Sequence, residues 1–456
     1  MLREKIYELK NWKSVVHTTF NPQGPGVIRI HMVPPKFHPF RMVPSVVILN
    51  GQDILPLNES WAILLTEFIR QINTHGPKEM SESDLDTILQ NTFYHVCKVF
   101  PDVSEELLQE DLRLIMDTFV SVSRGEIPEA EIGLMSIGDY APHMTAPHRM
   151  DLMVSAMTKN GSWHCNQKCI HCYAAGQQLS ETKELSTEEW KEIIAACKKA
   201  KIPQLTFTGG EPTMRPDLCE LVAEAKWFVT RLNTNGVLLT KELCASLMEA
   251  ELDSVQITLY SSDKDIHNAL VGADNFDKTV SGIKNALEAG LNVSINTPLC
   301  TKNKDYAQTL AFLKELGVSY VTCSGLIVTG NATLNQSVTT QLGIDEIYEV
   351  VKAAADYCFA HEMELSFTSP GWISEEKLRA LHLTVPSCGA CLSNMAIAPN
   401  GQVIPCQSWL SGETLGDMRT DKFSKIWNHP MCKMRRNFSA KSLQICPLRE
   451  RSSETK

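Results

Sequence analysis

Between Asp151 and Ser324 the sequence alternates short apolar runs with longer segments of helical periodicity. The six apolar runs lie at 151–157, 204–208, 228–234, 254–260, 293–297 and 320–324. The segments between them carry helix start and stop signals, such as the capping box of Ser186 with Glu189 and the glycines Gly290 and Gly317. Because strands joined by helices form a parallel sheet with right-handed crossovers, this pattern predicts a partial (β/α)6 TIM-type barrel.

Segments rich in Pro and Gly mark the candidate domain boundaries at 21–45, 125–150 and 366–389. The predicted units are an N-terminal extension 1–43, a small domain 44–125, a linker 126–150, the barrel 151–370 and a Cys-rich C-terminal hairpin extension 371–456. The sequence contains no repeat with a solenoid or propeller period. The predicted fold class is therefore α/β, with a barrel between two smaller units.

The small domain carries the signals of a hairpin followed by helices. Asn50-Gly51 lies between two short apolar runs, which is the strongest local signal for a tight hairpin. After Asn58, a good helix cap, apolar residues recur at helical spacing up to Gly76. Two further amphipathic stretches cover about 83–98 and 104–123. This pattern predicts a small α+β, winged-helix-like domain.

Composition excludes several classes of protein. The chain has 43 Lys and Arg against 53 Asp and Glu, and the net charge of −10 argues against general affinity for nucleic acid or anionic lipid. No uninterrupted apolar run of about 18 residues is present, and the first residues lack the apolar core of a secretory signal. We therefore predict a cytoplasmic protein without membrane or nucleic acid partners. Fifteen unevenly spaced cysteines then indicate metal or redox chemistry rather than disulfides.

Three of these cysteines, Cys165, Cys169 and Cys172, follow the first strand as CxxxCxxC. Thiolates at this density bind a soft metal ion or an iron-sulfur cluster. A structural zinc site needs four protein ligands, and His164 or His171 could supply the fourth. A [4Fe-4S] cluster bound by three cysteines instead leaves one iron open to a small molecule. Spacing alone leaves both sites possible.

This loop resembles the defining loop of the radical S-adenosylmethionine (SAM) superfamily, and its CxxCY ending is typical of the branch that contains SPASM domains. A second match, Gly209-Gly210-Glu211-Pro212, follows the second strand and resembles the family's GGEP motif. The resemblance covers roughly residues 151–450. It implies a [4Fe-4S] cluster on Cys165, Cys169 and Cys172, and SAM contacts from Gly209, Gly210 and Glu211.

Polar residues near later strand ends resemble further SAM-facing positions of the family. They are Asn233, Thr258, Ser261 and Asn296. Polar residues at strand ends are also common caps, so both roles stay open for each of them. The resemblance implies reductive cleavage of SAM to methionine and a 5′-deoxyadenosyl radical, which abstracts hydrogen from a substrate. No side chain is assigned as an acid or base.

A second set of cysteines lies near the C-terminus. Cys388, Cys391 and Cys406 surround a hairpin predicted at Asn400-Gly401, and Cys432 and Cys446 follow. This stretch is similar to SPASM and twitch extensions, which implies an auxiliary [4Fe-4S] cluster. We predict one such cluster on Cys388, Cys391 and Cys406, with Cys446 as the preferred fourth ligand and Cys432 as the reserve. The alternative is a zinc knuckle that uses the same CxxC, Cys406 and Cys446.

The small domain resembles the PqqD-type peptide-recognition element of peptide-modifying SPASM enzymes. This resemblance implies a substrate peptide whose leader adds to the small sheet as a strand. The predicted function is therefore radical SAM maturation of a ribosomally synthesised peptide through a thioether or carbon crosslink, with a flavodoxin or ferredoxin as electron donor. The alternatives are the same chemistry on a small molecule or tetrapyrrole precursor, with a small domain that only packs, and a zinc-stabilised binding or regulatory protein.

Overall fold

The computed structural model describes residues 16–20, 28–33, 36–38, 41–43, 45–49, 53–75, 80–123, 126, 128–130, 135–412, 414–442 and 444–449. The chain divides into two compact units, residues 1–144 and 145–456. No helix in the described part of the chain is both long enough and apolar enough to cross a membrane.

The first unit contains strands β1 (Val16–Phe20), β2 (Ile28–Val33), β3 (Lys36–His38), β4 (Arg41–Val43), β5 (Ser45–Leu49) and β6 (Asp53–Leu57), and helices α1 (Glu59–His75), α2 (Glu82–Cys97), α3 (Glu105–Ser123) and α4 (Ile137–Tyr140). The second unit contains strands β7 (Arg149–Ser155), β8 (Thr158–Lys159), β9 (Ser162–Trp163), β10 (Gln204–Gly209), β11 (Val229–Thr234), β12 (Ser254–Thr258), β13 (Asn292–Pro298), β14 (Tyr320–Ser324), β15 (Glu364–Phe367), β16 (Asn394–Ile397), β17 (Gln402–Ile404) and β18 (Gly416–Asp417). Its helices are α5 (Thr187–Lys199), α6 (Leu218–Glu224), α7 (Lys241–Glu249), α8 (Lys264–Val271), α9 (Phe276–Glu288), α10 (Tyr306–Glu315), α11 (Asn335–Val338), α12 (Ile344–Ala360), α13 (Glu375–Ala380), α14 (Phe423–Trp427) and α15 (Pro430–Lys441).

The first unit is an antiparallel sheet in the order β1-β2-β5-β6, packed against α1 and α3. The predicted hairpin is present, since β5 and β6 pair from Leu49 with Asp53 down to Ser45 with Leu57. Its Asn50-Gly51 turn lies outside the described residues. The three predicted helices are present as α1 to α3. Two strands of the sheet, β1 and β2, come from the segment that the sequence analysis set apart as an N-terminal extension, and the exact domain boundaries stay predictions.

Helix α1 begins where the sequence predicts, because Asn58 caps it. The Trp61 backbone N–H donates to Asn58 Oδ1 over 2.8 Å, which satisfies one of the free N–H groups of the first turn. The apolar stripe that follows, including Ile63 and Leu65, is fully buried in a core shared with β2, β5 and β6. Burial of apolar surface contributes roughly 25 cal/mol per Å² and stabilises this helix. Residues 62–69 are all buried, so the middle of α1 is covered on every side.

The second unit is built on a sheet in the order β15-β14-β13-β12-β11-β10-β7-β16-β17-β18. The six predicted strands are present as β7 and β10 to β14, and each pairs in parallel with its neighbours. A seventh parallel strand, β15, and the C-terminal hairpin of β16 and β17 extend the sheet at its two ends. The sheet therefore forms the partial barrel that the sequence predicts.

The two faces of this sheet differ in chemistry. One face carries fully buried apolar side chains, among them Leu205, Phe207, Leu232, Val255, Ile257, Ile295 and Val321. The opposite face carries Thr206, Asn233, Gln256, Asn296 and Thr322, because successive side chains of a strand point to opposite sides. Parallel sheets covered by helices on both faces are usually apolar on both. A polar face is therefore where a ligand site is expected.

Helix α8 holds a fully buried histidine, His267, and this gives a prediction on pH. His267 Nδ1 accepts a hydrogen bond from the Tyr260 backbone N–H over 3.3 Å, and burial lowers the pKa of His267 to about 4. The folded state therefore favours neutral His267. Its contribution to the free energy of unfolding is full above the unfolded pKa of about 6.5 and declines as the pH falls toward 4, by up to about 3 kcal/mol.

We expect denaturant unfolding at pH 7 and at pH 4.5 to differ less in His267→Gln than in the unsubstituted chain. Glutamine keeps a hydrogen-bond acceptor but does not titrate in this range. Equal losses of stability in the two proteins would contradict the prediction.

Candidate active site

The CxxxCxxC loop lies beyond the carboxyl end of β7, after the short hairpin of β8 and β9. Its backbone is attached to the end of helix α8, since the N–H groups of Lys168 and Ile170 donate to the carbonyls of Val271 and Leu270 over 2.9 and 3.0 Å. The Trp163 indole N–H donates to the Gln167 carbonyl over 2.9 Å. These bonds fix the loop at the end of the sheet where the barrel pattern places chemistry.

A segment after β14, residues 330–340, also holds the cysteine loop, a role that no motif in the sequence indicates. The Asn331 side-chain amide donates to the Cys169 carbonyl over 3.1 Å, and the Ser337 hydroxyl donates to the Ile170 carbonyl over 2.6 Å. A Cβ atom at Gly330, which has a φ of +59°, would lie 2.5 Å from the Tyr173 carbonyl oxygen. This close approach requires glycine at a position that is more than 150 residues from the loop in sequence.

The two glycines of the GGEP motif are required by contact with the end of β7. A Cβ atom at Gly210 would lie 2.7 Å from the Ala156 carbonyl oxygen, and one at Gly209 would overlap the Ser155 carbonyl. The Gly210 N–H donates to the Ser155 carbonyl over 2.8 Å. The Gly210 carbonyl in turn lies 3.6 Å from Cys165 Sγ. The motif and the cysteine loop are therefore adjacent, although they are one barrel unit apart in sequence.

Glu211 is a buried carboxylate that ties this motif to the end of β11. Its Oε1 accepts hydrogen bonds from the Thr213 N–H at 3.0 Å, the Thr213 hydroxyl at 2.5 Å and the Thr234 hydroxyl at 2.6 Å. Its Oε2 accepts from the Asn235 N–H at 2.8 Å. Burial raises the pKa of Glu211, and these hydrogen bonds oppose that rise. Contact with a SAM amino group stays a prediction, whereas the positioning of two strand ends follows directly from the geometry.

The other four SAM-facing candidates lie on β11, on β13 and at the end of β12, in different environments. Among the residues that the structure describes, the buried Asn233 Oδ1 has no hydrogen-bond partner. Asn296 Oδ1 accepts from the Thr322 hydroxyl at 3.0 Å. Ser261 Oγ accepts from the Asp263 N–H at 3.0 Å and so stabilises the turn before α8, while Thr258 is half-buried at its strand end. Their roles toward SAM stay predictions.

Sequence reasoning missed two residues on the polar face of the sheet, Gln256 and Thr322. The Gln256 side-chain amide lies 3.3 Å from Thr322 Oγ1, so Gln256, Asn296 and Thr322 are joined across three neighbouring strands. Alternation of polar with apolar residues along β12 and β14 is the signal that could have identified them. The same alternation places Cys323 on the apolar face near Cys358.

The three thiols of the loop share one electrostatic environment. Burial raises the pKa of Cys165 to about 12, and the negative charges of Glu211 and Cys172 add to the rise. The pKa of Cys169 is raised by burial and then by Cys172 and Cys165, and the pKa of Cys172 is raised by burial. Thiols in this environment become thiolates only beside a strong positive charge. A sulfur-rich set of this kind fits an iron-sulfur cluster.

The C-terminal cysteines also come together, and the predicted hairpin is the reason. β16 and β17 pair around Asn400-Gly401, and the Cys391 N–H donates to the carbonyl of Pro405, next to Cys406, over 3.1 Å. The pKa of Cys406 is raised to about 12 by burial, with Cys388 and Cys446 as further causes. The sequence predicted this grouping of Cys388, Cys391, Cys406 and Cys446, and the structure brings Cys432 into it as well.

Cys432 is closer to this group than its role as a reserve ligand suggested. Its thiol is hydrogen-bonded to that of Cys391, and this bond lowers the pKa of Cys432, as does the neighbouring guanidinium of Arg436. The described residues contain no group of three or more His, Cys, Asp or Glu side chains arranged to hold a single metal ion. The ligand sets of both cysteine groups therefore stay predictions.

Tyr173 connects the two cysteine groups. It follows Cys172 directly and is hydrogen-bonded through its side chain to Thr208. Burial raises the pKa of Tyr173, and the charges of Cys172, Asp151 and Cys406 raise it further. The Tyr173 phenol therefore lies in the electrostatic range of both groups, and the buried Asp151 lies in that of Tyr173 and Cys406.

Two family models match the chain where these cysteine groups lie. The first describes the radical SAM superfamily and matches residues 163–313, and the second describes an iron-sulfur cluster-binding domain, SPASM, and matches residues 388–448. The AdoMet-dependent heme synthase of Oleidesulfovibrio alaskensis is 30% identical over 58% of this chain and 71% of its own length. The chain belongs to the radical SAM superfamily. This radical SAM chain also carries a SPASM domain, as the sequence predicts.

Other relatives of this radical SAM chain differ in the chemistry that their names describe. The Fe-coproporphyrin III synthase of Methanosarcina barkeri is 32% identical over 42% of this chain, and the match spans only 48% of that relative. The mycofactocin maturase of Mycolicibacterium smegmatis is 27% identical over 59% of this chain and 68% of its own length.

Among solved structures, Streptococcus suis SuiB bound to its precursor peptide SuiA has a TM-score of 0.57 at 14% identity and covers 86% of this chain and 87% of that chain. Native anSMEcpe with bound AdoMet has a TM-score of 0.51 at 17% identity and covers 64% and 83%. At these identities the likeness establishes the fold.

Membership of the superfamily implies a [4Fe-4S] cluster and SAM as cofactors, and the SPASM match implies auxiliary iron-sulfur binding. When bound, these groups supply the reductive cleavage of SAM to a 5′-deoxyadenosyl radical. The chain's own residues supply the buried thiols, the glycine contacts that bring the GGEP motif beside them, and a polar sheet face for the reactants. Membership of this superfamily argues against the zinc-stabilised binding or regulatory protein that the sequence analysis kept as an alternative.

The auxiliary site gives a prediction of its own. Replacing Cys406 with alanine should remove about four irons per chain, because one cluster holds four irons and loses a ligand, while the first cluster remains. Iron and sulfide counting after anaerobic reconstitution measures this. Cys358→Ala is a suitable control, since Cys358 is buried on α12, outside both cysteine groups. An unchanged iron content in Cys406→Ala would contradict an auxiliary cluster at this site.

Proposed function

We propose that this chain is a peptide maturase that installs a thioether or carbon crosslink in a ribosomally synthesised peptide by radical SAM chemistry. The observation that carries the proposal is the extent of the likeness to SuiB. The match covers 86% of the chain. The second unit, residues 145–456, is a smaller share of the chain than this, so the match includes part of the first unit. That structure contains a precursor peptide, and a second relative, the mycofactocin maturase, is named as a maturase.

The first unit is the proposed peptide-binding element, in keeping with its PqqD-like sequence pattern. A peptide can add to a sheet only at an edge strand, and the edges of this sheet are β1 and β6. On β6 the Ile54 carbonyl already accepts from the Met135 N–H over 2.9 Å. Pro56 lies two residues further on the same edge and has no N–H to donate. These features favour β1, which lies beside helix α1, as the strand that receives the leader.

Hydrogen exchange on the full chain tests this proposal. The probe is a short precursor peptide encoded beside this protein, added with and without its leader. We expect the leader-containing peptide to slow exchange of the amides in β1 and to leave β6 unchanged. Slower exchange in β6 would mean that the peptide displaces Met135, and an absence of any protection in the first unit would argue against peptide recognition there.

Radical SAM chemistry on a tetrapyrrole is the second candidate, because the Fe-coproporphyrin III synthase and the heme synthase, at 32% and 30%, are more identical to this chain than the mycofactocin maturase, at 27%. The two functions are distinguished by the product. Incubation with SAM and a reductant should give a crosslinked peptide with a mass loss of two hydrogens under the first proposal. A decarboxylated or otherwise altered iron coproporphyrin, with no change in any peptide, would favour the second.

We also propose a cytoplasmic location and a flavodoxin or ferredoxin as the electron donor. Cleavage of SAM needs an electron of low potential, which these small carriers provide. Formation of 5′-deoxyadenosine with a reduced carrier in place of a chemical reductant tests this. Activity with the chemical reductant but with neither reduced carrier would contradict the choice of donor.

A further inference from the structure

Helix α15 presents three polar side chains to the C-terminal cysteine group. They are Cys432, Arg436 and Ser439, which are spaced by four and three residues and therefore lie on one face of the helix. All three are buried, with Arg436 at 8% exposure and Ser439 at 1%. The residues on the opposite face, such as Lys433 and Asn437, are exposed. The helix thus turns a polar face inward, which is the reverse of ordinary amphipathic packing.

Arg436 has an unusual set of partners for a buried cation. Its Nη1 donates to Cys432 Sγ over 3.4 Å and to the Trp427 carbonyl over 3.2 Å, and the guanidinium lies 3.9 Å from the Trp427 ring centre. Within the described residues no carboxylate forms an ion pair with it. A guanidinium is always charged, and a buried charge is stable only beside an opposite charge. Cys432 as a thiolate is the anion that this geometry provides.

Ser439 adds a second donor to the same site. Its hydroxyl lies 2.9 Å from the Ala390 carbonyl oxygen and 3.8 Å from Cys388 Sγ. Two side chains of one helix therefore reach two different thiols of the group. Hydrogen bonds to cluster sulfurs and nearby positive charge are the features by which a protein raises the reduction potential of an iron-sulfur cluster.

We propose that Arg436 is the counter-charge of the auxiliary cluster and that, together with Ser439, it raises the reduction potential of this cluster. In this proposal Arg436 also holds Cys432 as the fourth cluster ligand, in place of Cys446. This inference rests on the auxiliary cluster proposed above. The physical reason is that reduction adds one negative charge to the cluster, and a fixed guanidinium stabilises the reduced form more than the oxidised form. Arg436 is thus a positioning and tuning residue, and the cluster becomes a better acceptor of one electron.

The test uses the full chain with Cys165, Cys169 and Cys172 replaced by alanine, so that only the auxiliary cluster can be loaded. A redox titration followed by electron paramagnetic resonance then gives its midpoint potential. In this background we expect Arg436→Met to lower the equilibrium constant for reduction at least tenfold, which is about 59 mV for one electron. Arg436→Lys keeps the charge and should stay within threefold of the background. Ser439→Ala should give a smaller decrease, about threefold.

Lys433→Met is the matched control, since it removes a positive charge from the exposed face of the same helix. It should leave the midpoint unchanged. A loaded cluster whose midpoint is equally unmoved by Arg436→Met would overturn the role of Arg436 while the auxiliary cluster stands. A background protein that binds no iron would remove the auxiliary cluster itself, and this inference with it.

The ligand assignment is tested separately by iron counting in the same background. Cys432→Ala should lose about four irons per chain, and Cys446→Ala should retain them. If Cys432→Ala keeps its iron and Cys446→Ala loses it, the assignment is overturned and Cys446 is the fourth ligand, as the sequence analysis predicted.

Discussion

Replacing Cys169 with alanine is expected to reduce formation of 5′-deoxyadenosine from SAM below detection. The reason is that a three-cysteine site cannot lose a ligand and still hold a cluster with one open iron. The fold should persist, because the loop is attached to the rest of the unit by backbone groups such as the Cys169 carbonyl, which accepts from Asn331, whereas the Cys169 thiol bonds to Gln167 Oε1 within the loop itself. The measurement is an anaerobic assay for 5′-deoxyadenosine under reductant, with iron counting on the same sample.

The matched control for this variant is Cys219→Ala. Cys219 is a half-buried thiol on α6 that belongs to neither cysteine group, so its loss should leave both iron content and turnover unchanged. Far-ultraviolet circular dichroism should be the same for both variants. Turnover that persists in Cys169→Ala would contradict the assignment of the open cluster to this loop.

Glu211→Gln is expected to have the second large effect. Both carboxylate oxygens of Glu211 accept a backbone N–H, one from Thr213 and one from Asn235. A glutamine in either orientation places its NH2 group against one of these donors and leaves a buried N–H unpaired, at a cost of about 1–3 kcal/mol. We expect the free energy of unfolding to fall by this amount. The two strand ends that Glu211 joins also lose their common acceptor, so the affinity for SAM should fall. A loss of about 1.4 kcal/mol in binding corresponds to the tenfold decrease that we expect.

Glu220→Gln is the control for this prediction. Glu220 is an exposed carboxylate on α6 that pairs with Lys191, and loss of a surface ion pair changes stability by less than about 1 kcal/mol. SAM binding by isothermal titration and unfolding by denaturant measure both variants. Wild-type stability together with wild-type SAM affinity in Glu211→Gln would contradict the tethering role of Glu211.

Most of the fold could be predicted because its signals are local. The six strands β7 and β10 to β14 carry apolar runs, and the capping residues Ser186 and Asn58 mark where helices begin. Strand β15 was missed, since its last two residues already belong to the segment 366–389 that Pro and Gly identified as a boundary. Strands β1 and β2 were missed as partners of the small sheet because β2 lies within the segment 21–45, which was also identified as a boundary, and β1 precedes it.

The candidate site could be predicted only in part. Spacing identified both cysteine groups, because ligands for one cluster recur at short intervals in a loop. The polar row of Gln256, Asn296 and Thr322 forms across three strands, and only the sheet brings these residues together. The sequence analysis expected Gly209 and Gly210 to contact SAM. The structure gives another reason for glycine at both positions, since a side chain there would meet the backbone at the end of β7.

The sequence by itself determined the superfamily, the partial barrel and the presence of two cysteine groups. These features depend on residue type and short-range spacing, which do not change when the chain folds. Tertiary structure alone decided how these groups are held. Asn331 reaches the cysteine loop from beyond β14, and Ser439 on α15 reaches the Ala390 carbonyl beside the C-terminal cysteines. Contacts of this kind depend on where distant segments meet, and many different residues could form them. No spacing in the sequence therefore predicts them.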